Sequence, residues 1–190
     1  MRSVLTIAGF DPSSGAGVTA DLMVFAAHGL FGTSAITNLT VQSTVGVDSS
    51  HAVEPELVAM TLAFLDADLP PAGIKIGALG TAWVVEAVAL YLEAVREAGG
   101  RVPVVLDPVI RSSAGEGHWL AGIRVETRAT HGTGCALSSA VLSRVVLGDA
   151  PAVAAATAKR YVVEAMRRAS PMGRGHGPME LLWPLRTHGG

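Results

Sequence analysis

Apolar and polar positions fall along the chain in two alternating kinds of block. Val4-Leu5-Thr6-Ile7-Ala8 is an apolar, β-rich run that stops at Gly9 and reads as a buried strand. Turn chemistry follows in Asp11-Pro12-Ser13-Ser14-Gly15-Ala16-Gly17, and residues 18–28 continue with helical composition and one acid, Asp21, able to face inward. Residues 34–42 alternate apolar and hydroxyl side chains, a strand signature. Glu54-Pro55-Glu56 starts a helix with an apolar stripe of Leu57, Val58, Leu62 and Leu65, and Pro70-Pro71 stops it. A strand over residues 73–77 comes next. Thr81 then caps a long helix with Val84, Val88, Tyr91, Leu92 and Val95 on one face, ending at Gly99-Gly100. Residues 103–106 form another buried strand, closed by Asp107-Pro108-Val109.

Residues 111–122 are rich in Ser, Gly and Glu and read as loop, with a short strand expected over residues 124–127. In Thr130-His131-Gly132-Thr133-Gly134-Cys135-Ala136-Leu137-Ser138-Ser139-Ala140 a glycine loop opens a helix. Asp149 is the expected N-cap of a last helix that starts at Pro151 and runs to about Ala169, and residues 172–178 are irregular. There is no internal repeat and no interdomain linker, so residues 1–190 are expected to form a single domain. Strands alternating with helices imply an α/β fold: a mainly parallel central sheet, helices on both faces, and ligands at the carboxyl ends of the strands. Residues 9–17, 42–44, 77–80, 107–109 and the loop at Thr130 would then gather at one edge.

Composition narrows the classes of function. Of 190 residues, 49% are hydrophobic and 16% charged, enough to bury a substantial core, and the net charge of −2 without a dense Lys/Arg tract argues against nucleic acid as partner. A single Cys rules out an intramolecular disulfide and a Cys-rich zinc site. The apolar start is too short for a signal segment and no apolar run reaches membrane-spanning length, so a cytoplasmic, membrane-free protein is expected.

The chemistry concentrates in the glycine loops. The first N–H groups of a helix lack internal partners and carry the positive end of the macrodipole, so the turn at Gly132, Thr133 and Gly134 suits an anion such as phosphate. Cys135 falls in that first turn, where the same field is expected to favour thiolate. The plainer reading is a glycine-permitted helix start with a small buried Cys, and the two stand level on this window alone. On the residues alone Asp21 reads more readily as a helix-start acid than as a ligand-binding one, and Asp107 and Gln42 have plainer readings as a cap before Pro108 and a satisfied strand-end amide. His131 and His176 read as loop hydrogen-bonders rather than metal ligands.

Three stretches together, residues 8–22, Leu106-Asp107-Pro108-Val109 and residues 130–140, resemble the hydroxymethylpyrimidine and hydroxymethylpyrimidine phosphate kinases of thiamine biosynthesis, which have the ribokinase-like fold. Lys75-Ile76-Gly77-Ala78-Leu79 and Gly175-His176-Gly177-Pro178 match the same family. The resemblance implies transfer of the γ-phosphoryl group of ATP, with Mg2+, to an aminopyrimidine. Such transfer relies on positioning and charge neutralisation. It implies that Asp21 and Gln42 bind the pyrimidine, that Thr40, Ala78 and Val109 line its pocket, and that Gly9 lets the ring approach the backbone. By the same resemblance Gly132, Thr133 and Gly134 form the anion hole, Cys135 is the general base where many ribokinase relatives carry Asp, and Asp107 orients magnesium and phosphates.

The spacing departs from the family in one place. Family members carry further strands and helices between the Asp-Pro-Val segment and the glycine loop, including an Asn, a Glu near the magnesium and a Lys-Gly-Gly strand end. Only residues 110–129 intervene here. A ribokinase-like sheet shortened by loss of strands on the nucleotide side is therefore expected, its uncovered apolar surface met by self-association, most simply a homodimer. Two other readings share the residues: an inactive pyrimidine-binding protein derived from the kinase, and a relative acting on pyridoxal.

Overall fold

The computed structural model describes residues 1–107, 120–122 and 124–186. Among these, five strands form one sheet: β1 (Ser3–Phe10), β2 (Phe31–Ser43), β3 (Gly46–Ala52), β4 (Ile74–Ile76) and β5 (Val104–Leu106), ordered β3-β2-β1-β4-β5. β1 runs parallel to β2 and β4, and β4 parallel to β5, so four carboxyl ends share one edge. Only β3 is antiparallel, returning along β2. The helices are α1 (Gly17–Ala27), α2 (Pro55–Asp68), α3 (Ala82–Glu97), α4 (Thr133–Val146), α5 (Pro151–Arg168) and the single turn α6 (Trp183–Arg186).

The two-residue period of the strands sorts the core into two faces. Leu5 and Ile7 of β1 join Ala35, Ile74 and Ile76 beneath Val58 and Leu62 of α2 and Val84 and Val88 of α3. On the other face Val4 meets Phe25 of α1 and Leu142 and Val146 of α4. Behind that layer α5 lays Ala158, Tyr161, Val162 and Ala165 against Ala20 and Val24 of α1 and Ala136 and Ala140 of α4. Alanines at this seam let three helices pack closely, and each large side chain fully buried contributes about 1.5–3 kcal/mol. The expected α/β architecture, a mainly parallel sheet with helices on both faces, is the one observed, but the edge strand β5, expected to be buried, leaves Val104 45% and Leu106 60% exposed.

Local signals explain most boundaries. The Thr81 hydroxyl accepts a hydrogen bond from Val84 N at 3.3 Å and so caps α3, while Pro55 and Pro151 start α2 and α5 at positions that need no donor. Five further expectations change. Asp149 does not cap α5: Ala150 is the N-cap, and the Asp149 carboxylate instead accepts from Arg144 Nε at 2.7 Å. Residues 124–127, where described, form no strand. β2 begins at Phe31, ahead of its alternating segment. β3 was not expected, because Gly46-Val47-Asp48-Ser49-Ser50-His51-Ala52 is polar and mostly exposed, and its pairing with β2 is set by the intervening turn. On α2, Val58 and Leu62 are buried, but Leu57 is 56% exposed and lies off the stripe.

Candidate functional site

At the shared carboxyl edge, the loop between β1 and α1 forms one wall. Asp11 follows β1 directly and is buried. Its Oδ1 accepts from the Ser13 amide at 2.8 Å and the Ser13 hydroxyl at 2.7 Å, and its Oδ2 accepts from Ala16 N at 2.9 Å. Burial works against the charge, but the bonds from Ser13, His131 and Gln42 outweigh it and hold the carboxyl below the ordinary Asp range. The chain then enters α1 through Gly17 at φ 61°, where a side chain would begin 2.2 Å from the Gly9 carbonyl oxygen.

The loop ahead of α4 forms the facing wall. Gly132 is the left-handed N-cap of α4, at φ 72° and ψ 20°, and any side chain there would begin 1.9 Å from Gly15 O. Two glycines thus interlock the loops. The amides of Thr133, Gly134 and Cys135 occupy the first turn of α4, where the helix supplies no acceptor. Asp107, just past β5, stands against this turn: Ser138 Oγ donates to its Oδ2 at 3.3 Å, and a side chain on Gly134 would begin 3.5 Å from the same oxygen. Residues 132–134, expected to hold an anion, and Asp107, expected to orient magnesium, are therefore brought together.

His131 connects the walls. Its Nε2 lies 2.8 Å from Asp11 Oδ2 and 3.3 Å from Gln42 Nε2 at the end of β2. The reading of His131 and His176 as hydrogen-bonders agrees with this placement, since His176 Nδ1 pairs with the Thr130 hydroxyl at 2.9 Å. Residues 172–178 close the site from the side. His176 N donates to Thr44 O at 2.9 Å, and a side chain on Gly175 would begin 2.0 Å from that oxygen.

The remaining expected residues are placed less simply. Asp21 requires a correction: it is fully buried under the site rather than open to a ligand. Its Oδ2 accepts from Thr6 Oγ1 at 2.6 Å and Lys75 Nζ at 2.8 Å, and its Oδ1 accepts from Ser139 Oγ at 2.8 Å. The space beside Gly9 is filled by the Asn38 amide, whose Oδ1 lies 2.5 Å from where a Gly9 side chain would start. Thr40 spends its hydroxyl on Phe10 O at 2.9 Å, and Ala78 is exposed at the end of β4, its carbonyl accepting from Thr37 Oγ1 at 2.6 Å. Val109 lies outside the described residues.

Cys135 is half-buried in the first turn of α4, as expected, but its acidity is not. Burial pushes the thiol up, and the carboxylates of Asp21 and Asp107 add to that. The Lys75 ammonium and a hydrogen bond from the Gly17 amide pull the other way without prevailing. Desolvation therefore overrides the helix-start field. Lys75, Thr6, Ser139 and Asp11 were not singled out from the sequence as site residues. The available signal was polarity inside otherwise apolar strands: Lys75 between Ile74 and Ile76, and Thr6 between Leu5 and Ile7.

A groove of about 950 Å3 lined by His28, Arg144, Tyr161 and Trp183 lies at the far end of α1 and shares none of these residues. Among the described residues no group of three or more His, Cys, Asp or Glu side chains could hold a metal ion.

Residues 11–118 and 113–180 match a family model described as phosphomethylpyrimidine kinase. The chain belongs to that family. The hydroxymethylpyrimidine/phosphomethylpyrimidine kinase of Synechococcus elongatus is 29% identical, with 95% of this chain and 97% of that protein covered. The alignment runs over 261 positions, more than the 190 residues present here, so part of the relative has no counterpart. The thiamine biosynthesis bifunctional protein ThiED of Geobacter sulfurreducens is 30% identical over 93% of this chain, which spans about half (51%) of that protein. Among solved structures, pyridoxal kinase from Staphylococcus aureus in complex with AMP-PCP superposes with a TM-score of 0.82 at 19% identity, covering 96% of this chain and 94% of that one. The phosphomethylpyrimidine kinase family thus accounts for the ribokinase-like fold and for the order of the glycine loops.

Proposed function

We propose that this phosphomethylpyrimidine kinase family member transfers the γ-phosphoryl group of ATP, with Mg2+, to 4-amino-5-hydroxymethyl-2-methylpyrimidine or its phosphate, in thiamine biosynthesis. The observation that carries the reading is the joining of the two walls. Gln42 and Asp11 on the pyrimidine side meet, through His131, the first-turn amides of α4 and Asp107 on the phosphate side.

In this arrangement Gln42 offers donor and acceptor to the edge of an aminopyrimidine, and Thr40 and Ala78 lie beside the space for its ring. The amides of Gly132, Thr133 and Gly134 hold phosphate oxygens, which develop charge as the phosphoryl group moves. Asp107 is the residue that would hold Mg2+, whose chemistry would be charge neutralisation at those oxygens. Cys135 takes the proton from the attacking hydroxyl. Its raised acidity range means that the competent thiolate grows with pH, and Lys75 and the Gly17 amide are the groups that stabilise it.

We also infer a homodimer at work in the cytoplasm. Leu39, Val41 and Val47 form an exposed apolar ribbon on β2 and β3 that a second copy would cover, and no helix among the described residues is long and apolar enough to cross a membrane.

The test is titration calorimetry of the purified protein with hydroxymethylpyrimidine, then with AMP-PCP and Mg2+, followed by a turnover assay. Binding of both with phosphorylated pyrimidine as product is expected. Pyrimidine binding without nucleotide binding would overturn the kinase reading and leave a pyrimidine-binding protein. Phosphorylation of pyridoxal in preference to the pyrimidine would move the substrate.

A further inference from the structure

The contact between Asp11 and His131 spans 120 positions of sequence and joins the two glycine loops of the site. Asp11 is held on its own side by Ser13 and Ala16, so its carboxylate is a fixed point. His131 immediately precedes Gly132 and is held from behind, where its amide donates to Gly177 O at 3.3 Å. A side chain on Gly15 would begin 2.1 Å from His131 Cδ2, so the imidazole lies directly on the bare backbone of the opposite loop.

The ring nitrogen facing Asp11 can serve only one purpose. With Nε2–H donating to Asp11 Oδ2, that nitrogen cannot accept from Gln42, although Gln42 Nε2 is 3.3 Å away. Gln42 and Asp11 thus compete for the same ring nitrogen, and the Gln42 amide also helps to hold the Asp11 carboxyl low. Asp11 is therefore shared by the residue assigned to the pyrimidine and the residue that leads into the phosphate cradle.

We propose that Asp11 and His131 are positioning residues whose bond braces the first turn of α4, and that a pyrimidine engaging Gln42 strengthens this brace and so tightens nucleotide binding. The proposal rests on the assignments of Gln42 and residues 132–134 made above. When Gln42 turns its N–H groups to a pyrimidine it withdraws a competing donor from Asp11. The carboxylate then concentrates on the imidazole, and a charge-assisted bond gains strength as competing donors leave. The two ligands become coupled through a single carboxylate, and the coupling is reciprocal.

The experiment is calorimetry of AMP-PCP with Mg2+, with and without saturating hydroxymethylpyrimidine, on the unaltered protein, His131→Leu, His131→Gln and Asp11→Asn. The unaltered protein is expected to bind the analogue about tenfold more tightly when the pyrimidine is present. His131→Leu should lose that enhancement while its affinity for the pyrimidine alone changes less than about threefold, and His131→Gln, which can still donate to Asp11, should recover part of it. If His131→Leu fails to fold, Asp11→Asn provides the second test, read only as loss of the enhancement, because it keeps one oxygen for Ser13 and weakens the bond to His131. Enhancement that persists in His131→Leu or in a folded Asp11→Asn would overturn the brace while leaving the kinase reading intact. Equal loss of both affinities in the folded variants would also overturn it, because a purely structural contact acts that way. Failure of the unaltered protein to bind either ligand would instead overturn the functional reading on which the coupling depends.

Discussion

Lys75 Nζ lies 2.8 Å from Asp21 Oδ2, and neither side chain exposes any surface. The pair sits where β1, β4, α1 and α4 meet, completed by the hydroxyls of Thr6 and Ser139. Every buried side-chain polar atom among the described residues is satisfied, and this quartet is the clearest case.

Removing one member leaves an uncompensated charge. Lys75→Met is expected to destabilise the protein by about 3–5 kcal/mol, whereas the double change Asp21→Asn with Lys75→Met should cost less than Lys75→Met alone. Urea unfolding of the three proteins checks this. Equal or greater loss in the double variant would show that Lys75 contributes by packing and not by charge.

Cys135→Ala is expected to lower turnover by about 10²–10⁴-fold while pyrimidine affinity stays nearly unchanged. Because burial raises the thiol, thiolate is scarce at neutral pH and accumulates as pH rises toward the folded value. The rate should therefore climb with pH across the neutral and weakly alkaline range. Cys135→Asp, whose carboxylate is already ionised at neutral pH, should flatten that climb, and a profile that keeps its slope in this variant would remove Cys135 from the proton transfer.

Gly132→Ala places a methyl group against Gly15 O in a left-handed backbone that a side chain resists. A loss of stability of at least about 1–3 kcal/mol is expected. Nucleotide affinity should fall more than pyrimidine affinity, read by thermal unfolding and calorimetry. An unchanged nucleotide affinity would place the phosphates elsewhere.

Asp11 supplies a second pH dependence, in stability rather than in rate, from a group shifted the other way. Its folded acidity lies below the unfolded value, despite burial, because of the hydrogen bonds from Ser13, His131 and Gln42. A group lowered on folding contributes its stability above the unfolded value and loses it as pH falls through the folded one. Unfolding free energy should therefore drop as pH falls below about 4, and Asp11→Asn should make that acid limb shallower. Denaturant titrations between neutral pH and the acid limb check both slopes.

The strands and helices were legible because their signals are local. Ile74 and Ile76 are apolar on one face, Thr81 caps, Pro55 starts, and Gly132 permits a left-handed turn, all within a few residues of chain. β3 was not legible, because a polar ribbon pairs through its turn and its neighbour rather than through a pattern of its own. The site divides in the same way. The glycine loops, Cys135 and Asp107 were readable as a convergence of strand ends, and the fold brings residues 132–134, Gln42 and Asp107 to one edge. What the sequence by itself determined was the order of elements and the residue types at each loop. Only the tertiary structure decided that Asp21 turns inward to Lys75, that Asp11 reaches His131 across 120 positions, and that the Cys135 thiol is raised rather than lowered. Partner choice and desolvation depend on which side chains the fold seals from water together, and that is a property of packing rather than of any single stretch of chain.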